Sequence, residues 1–137
     1  MNATSSFELW TPRALAVLRI VIGYLFLQHA TAKLFGFPHV AAFDHLQVMS
    51  LAGAAGIIEL IGSPLIIVGL FVRPVAFVLS GEMAAAYFIA HAPRGSFLFP
   101  ALNQGELAVV YCFVFLFLAA AGAGPWSIDA ARHSRPT

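Results

Sequence analysis

Charge is what this chain has least of. Only 9% of its 137 residues are Asp, Glu, Lys or Arg, against 61% hydrophobic, whereas a soluble domain carries about 25% charged residues. That leaves too little polar surface to cover a fold in water, and the expected setting is a lipid bilayer. A formal net charge of +1 with no run of Lys or Arg argues against nucleic acid as a partner and supplies no polybasic stretch for anionic lipid. No polar stretch is long enough to fold separately, so residues 1–137 read as one domain. Cys112 is the only cysteine, which excludes an intrachain disulfide and a Cys-x-x-Cys redox pair. No nucleophile paired with a base, no phosphate-cradling glycine loop and no dinucleotide fingerprint occurs. An enzyme of the self-contained soluble kind is not expected.

Long apolar stretches fill the chain instead. Four spans read as helices, roughly 14–35, 53–72, 75–92 and 105–123, each near the 20 or so residues that cross a bilayer. Thr11-Pro12 suits the start of the first, Gly36 and Pro38 end it, Arg73-Pro74 marks a tight turn between the second and third, and Gly122, Gly124 and Pro125 close the fourth. The expected architecture is all-α, a four-helix transmembrane bundle. Between the first two spans, Val40, Phe43, Leu46 and Met49 recur every third residue, consistent with a short interfacial helix or a packed loop. Ala30-Thr31-Ala32 resembles a signal-peptide cleavage site, but Arg19 interrupts the apolar run and three more spans follow, so the first stretch reads as a retained helix. Arg13, Arg73, Arg132 and Arg135 fall on one side of the membrane against Lys33 and Arg94 on the other. By the positive-inside rule both termini are expected in the cytoplasm.

Ionisable residues inside such spans are expensive and call for partners or a function. Helix rise and direction sort them into two layers. His29, Lys33, Glu59, His91 and Glu106 are expected to share the outer half, where a cation, two carboxylates and two imidazoles form a pocket for a small molecule such as a quinone head group or a small anion. Arg19 and Glu82 are expected in the inner half as a structural ion pair. Arg19, His29 and Lys33 lie within about 80° on the first helix at 100° per residue, so one face of it is polar. The bland alternative for the outer cluster is a network that only fixes helix register. His29, His91, Glu59 and Glu106 come from four helices without the local spacing of bundle metal sites, and no metal is expected. Tyr24, Tyr87 and Tyr111 read as packing residues, with Trp10 and Trp126 as interfacial anchors.

The run Leu18-Arg19-Ile20-Val21-Ile22-Gly23, then Phe26, His29 and Lys33-Leu34-Phe35-Gly36-Phe37, resembles the first-helix signature of the DoxX family of small bacterial membrane proteins. Gly105-Glu106-Leu107-Ala108 resembles that family's last-helix opening, and Gly122-Ala123-Gly124-Pro125-Trp126-Ser127-Ile128-Asp129 its closing Gly-Pro-Gly-x-x-Ser-Leu-Asp. Glu59, Gly69-Leu70 and Arg73 fall at the family's second-helix acid and Gly-Leu-x-x-Arg turn, while Ala30 and Ala123 depart from its glycine and proline. The resemblance implies a four-helix membrane bundle, similar to the small membrane subunit of thiosulfate:quinone oxidoreductase and to components of complexes linked to redox stress. A bacterial inner-membrane component of a redox process is therefore expected, binding a quinone or small anionic substrate and receiving electrons from a redox partner protein. On that reading it is a membrane subunit of a quinone-linked oxidoreductase, not catalytic alone. The competing readings are a non-catalytic scaffold for a partner or cargo, homo-oligomeric assembly included, and, more weakly, a small transporter.

Overall fold

The computed structural model describes residues 3–134; Arg135, which entered the orientation count, lies outside them. Five helices follow one another: α1 Ala3–Phe35, α2 Leu51–Val68, α3 Val72–Ala86, α4 Glu106–Ala121 and the short α5 Ile128–His133. Three stretches, Phe7–Phe35, Leu51–Val68 and Val72–Arg94, are long and apolar enough to cross a membrane, and α4 is a shorter apolar helix of the same character. Successive helices are antiparallel: Arg19 meets Ile66 and Lys33 meets Glu59, Arg73 meets Ala120 and Ser80 meets Cys112, and a short turn joins α2 to α3. One end of the bundle therefore carries the α2–α3 turn and α5, and the other carries the two longer loops.

Local chemistry explains where the helices stop. The Ser50 hydroxyl accepts the Gly53 N–H at 3.2 Å, capping α2. At the other end Gly69 takes φ +72°, and Leu70 N–H reaches back to Leu65 O at 2.9 Å, a left-handed close that glycine adopts without strain. The α2–α3 turn is thus Gly69 to Phe71, and Arg73-Pro74 sits in the first turn of α3, where a missing proline N–H is harmless. α3 ends in a widened turn, Tyr87–His91, followed by a tight one at Ala92–Arg94.

Three expectations need correcting. α1 begins well before residue 14 and runs through Pro12, because Phe7, Leu9 and Trp10 extend the apolar surface upstream. The segment from 36 to 50 is a loop of successive tight turns, Ala41–Phe43 the first of them, and holds no interfacial helix longer than that. Met49 in it is 97% exposed, so the three-residue recurrence there does not mark a buried helical face. α5 was not anticipated; it is one and a half turns long, below the length at which periodicity is readable.

α1 packs on α2 and α3 on α4, and the two pairs share one core. Phe26 of α1 bridges them, its ring centroid 4.9 Å from Phe115 and 5.0 Å from Tyr111 of α4. Side chains facing away from this core are apolar, among them Val17, Val21, Ile57, Ile61, Phe77 and Phe113. In water so much exposed hydrocarbon would drive aggregation, but in a bilayer it is the solvent-compatible surface.

Candidate functional site

Near the middle of the bundle, three elements bring charge together. Lys33 Nζ of α1 lies 2.6 Å from Glu59 Oε1 of α2, with the lysine side chain 14% exposed and the glutamate 1%. The approach depends on Gly56: a Cβ there would meet Leu34 and the Lys33 stem at 3.2 to 3.4 Å. One turn beyond, the Ser63 hydroxyl donates to Glu59 O at 2.6 Å, holding the same buried face of α2. Glu82 of α3 stands within electrostatic reach of both Glu59 and Lys33.

The three oxygens Glu59 Oε2, Glu82 Oε1 and Glu82 Oε2 are buried with no donor from the backbone or any other side chain among the described residues, and only a proton shared between the two carboxyl groups can bond them to each other. Buried acceptors are almost always paired, and an unpaired one costs about 1–3 kcal/mol. Two further groups border the cluster. His29 of α1 is partly buried, within range of the Lys33 charge, and its ring stands edge-on to Tyr111 at 5.7 Å. Tyr111 of α4 is buried and feels the Glu59 charge.

Of the residues singled out from sequence, the structure thus gathers His29, Lys33 and Glu59. It does not bring His91 or Glu106 into contact with them. The His91 ring stacks on Tyr87 at 6.4 Å, with Nδ1 3.3 Å from Asn103 O. Asn103 Nδ2 donates to the Tyr87 hydroxyl, which donates to Phe97 O at 2.6 Å. This set ties the 95–105 loop to α3. Glu106 is exposed in the first turn of α4, where a carboxylate complements the positive helix end.

The expected Arg19–Glu82 pair is not formed. Arg19 is fully buried and spends its guanidinium on backbone: Nε donates to Ala123 O at 2.8 Å, Nη1 to Ile66 O at 2.7 Å and Ile67 O at 2.5 Å, and Nη2 to Trp126 O at 2.8 Å. Gly69 makes room, since a Cβ at that position would stand 2.9 Å from Nη1. Arginine thereby joins the C-terminal turn of α2 to the segment leading into α5. Asp129 completes the junction by accepting the Phe71 and Val72 N–H groups, both at 2.9 Å, at the start of α3.

One residue was misplaced by sequence reasoning, Glu82, while Tyr111, read as a packing residue, packs in the core against Phe26 and Phe115 and also borders the charges. Glu82 was put in the inner layer, yet helix rise places it about 15 Å along α3, opposite a Glu59 about 12 Å along the antiparallel α2. Those depths meet near the bundle centre. The border role of Tyr111 had no signal, because a tyrosine two helices on in sequence has no spacing signature that links it to α2.

A helical bundle with apolar outer faces and its buried charges turned inward is an integral membrane protein. Residues 14–92 match the family model DoxX, and an uncharacterized protein of Haemophilus influenzae is 43% identical over 132 residues, covering 91% of this chain and 95% of the relative. The chain belongs to the DoxX family. No solved structure matches it.

Proposed function

We propose that this protein is an inner-membrane component of a redox process, acting as one domain, in which Lys33, Glu59, Glu82, His29 and Tyr111 bind a quinone head group. The observation carrying this reading is the trio of unpartnered carboxylate oxygens beside Lys33 in the hydrocarbon-spanning part of the bundle. Glu59 already neutralises Lys33, which leaves little positive charge to hold a small anion, so a neutral quinone is the better candidate of the two. Lys33 has ammonium protons beyond the one shared with Glu59 to offer a quinone carbonyl. Reduction of a quinone to a quinol takes up two electrons and two protons. The carboxyl groups, with His29 beside them, are placed to deliver the protons, and a redox partner protein supplies the electrons. His91 and Glu106 have no part in this site. Orientation follows the cationic residues, with Arg13, Arg73 and Arg132 at the end of the bundle that bears the termini and Arg94 at the other, which puts both termini in the cytoplasm.

The test is titration of a short-chain quinone against purified protein in lipid nanodiscs. Lys33→Ala and Glu59→Gln are each expected to weaken binding about tenfold or more, the scale of one charge-assisted hydrogen bond. Unchanged affinity in variants that remain folded would remove the site.

A further inference from the structure

At the end of the bundle that bears α5, the fold assembles a positive cleft that no run of sequence announces. One cavity of about 440 Å³ is lined by Arg73, Pro74, Gly122 and Ala130, and a neighbouring one of about 350 Å³ by Arg132; Phe71, Asp129 and His133 border both. The cations come from α3 and α5, nearly sixty residues apart, which is why no polybasic stretch was readable. Asp129 does not neutralise them by pairing, because its two oxygens accept the Phe71 and Val72 N–H groups. Among the described residues neither Arg73 nor Arg132 has a carboxylate within 4.0 Å.

Both guanidinium groups are held in place. Arg73 donates to Ala119 O, Ala120 O and Ala121 O at the end of α4, and Gly122 lets it lie close, since a Cβ there would stand 3.1 Å from Nη2. Arg132 rests over the Phe71 ring at 5.2 Å, a cation–π contact that positions its head at the cleft mouth. His133 Nδ1 donates to Asp129 O at 2.7 Å, which fixes the ring at the border of both cavities. The cleft lies where α2, α3 and α4 all end, beside exposed Phe71, Trp126 and Ile128. That is the level at which hydrocarbon gives way to head groups.

We infer that this cleft binds the phosphate of an anionic phospholipid head group, with Arg73 and Arg132 as its donors. Guanidinium groups match phosphate geometry, and a lipid seated here would have its chains against the apolar faces of α3 and α4, whose ends line the cleft. The test reconstitutes the full chain in nanodiscs of equal phosphatidylglycerol and phosphatidylcholine, then measures the lipid retained after extraction by native mass spectrometry. The parent is expected to retain phosphatidylglycerol about tenfold over phosphatidylcholine. Because Arg73 also closes α4, the exposed Arg132 carries the test: Arg132→Gln lowers the preference about fivefold, the scale of one cation at a lipid surface, and Arg94→Gln at the opposite end leaves it unchanged. Equal retention of the two lipids by the parent, or equal loss in Arg94→Gln and Arg132→Gln, overturns the inference. Inorganic phosphate titrated into phosphatidylcholine nanodiscs separates the other source. Thermal stabilisation by phosphate that Arg132→Gln abolishes, without lipid preference, would make this a soluble-phosphate site and overturn the lipid assignment.

Discussion

Two buried charged centres occupy this bundle, and they are satisfied to different degrees. Around Arg19 every guanidinium nitrogen meets a backbone carbonyl, drawn from α2 and from the segment before α5. Around Lys33 one ammonium faces two carboxylates, and three of their four oxygens have no partner. Saturation is what a structural charge needs, because its desolvation must be offset in full by fixed dipoles. Open valence is what a binding site needs, because a ligand can fill it. The contrast assigns opposite roles to centres of similar burial, and it reverses the sign expected of substitutions in each.

The largest effect is expected at the saturated centre. Arg19→Gln removes the cation and takes the donors from the carbonyls of Ile67, Ala123 and Trp126, while Ile66 O keeps only the Gly69 N–H. At about 1–3 kcal/mol per orphaned group, partly relieved by water, the loss is about 3–5 kcal/mol. Arg19→Lys is expected to recover little of it, since one ammonium cannot span carbonyls that a planar fork reaches from three nitrogens. Thermal unfolding in detergent, read together with the folded fraction on size exclusion, measures both. Retention of parent stability by Arg19→Gln would end the distinction between the two centres.

Glu82→Gln should move the other way. Its oxygens receive no donor from the backbone or any other side chain among the described residues, and it stands beside a second carboxyl group to which only a shared proton can bond it. A neutral amide of the same shape needs no shared proton and brings a permanent donor to the Glu59 oxygen left open. Stability is expected to rise by about 1 kcal/mol, while quinone affinity falls, the usual exchange at a site held under strain for function. The same thermal assay and the nanodisc titration read the two changes. A variant less stable than the parent would make Glu82 a structural partner after all.

Much of the architecture was readable because burial and length leave physical traces in composition. Four apolar stretches, punctuated by Gly36 and Pro38, by Arg73-Pro74 and by Gly122, located the spanning helices, although the turn between α2 and α3 falls a few residues earlier, at Gly69 to Phe71; the i, i+4 spacing of His29 and Lys33 located the polar face of α1. Glu59 followed as the counter-charge. The partners of Arg19 were not readable, since every residue carries a carbonyl and no side-chain identity marks which ones converge. Glu82 was lost for a different reason. A division into two layers has no place for groups near the midplane, where an error of a turn reassigns a residue to the wrong partner. His91 and Glu106 were drawn into the site by depth alone, although angle and loop packing turn His91 toward Tyr87 and Asn103 and leave Glu106 exposed.

The smallest effect sharpens the comparison within the saturated end. Asp129 sits one turn from the cluster of Arg19 acceptors, yet its own work is separate: its two oxygens each take one N–H at the start of α3, where the orphan donors of a helix otherwise face lipid or water. Asp129→Asn keeps one acceptor, replaces the other with a donor that opposes an N–H, and removes a negative charge from the positive helix end. About 1 kcal/mol of stability is expected to go, well below the Arg19 effect. If the Arg19 junction and this cap are independent, Arg19→Lys combined with Asp129→Asn loses the sum of the two single changes. A smaller combined loss would mean that the charge of Asp129, acting on the guanidinium from a distance, belongs to the same unit as the carbonyls. The saturated centre would then extend from α1 through the α2–α3 turn into α5.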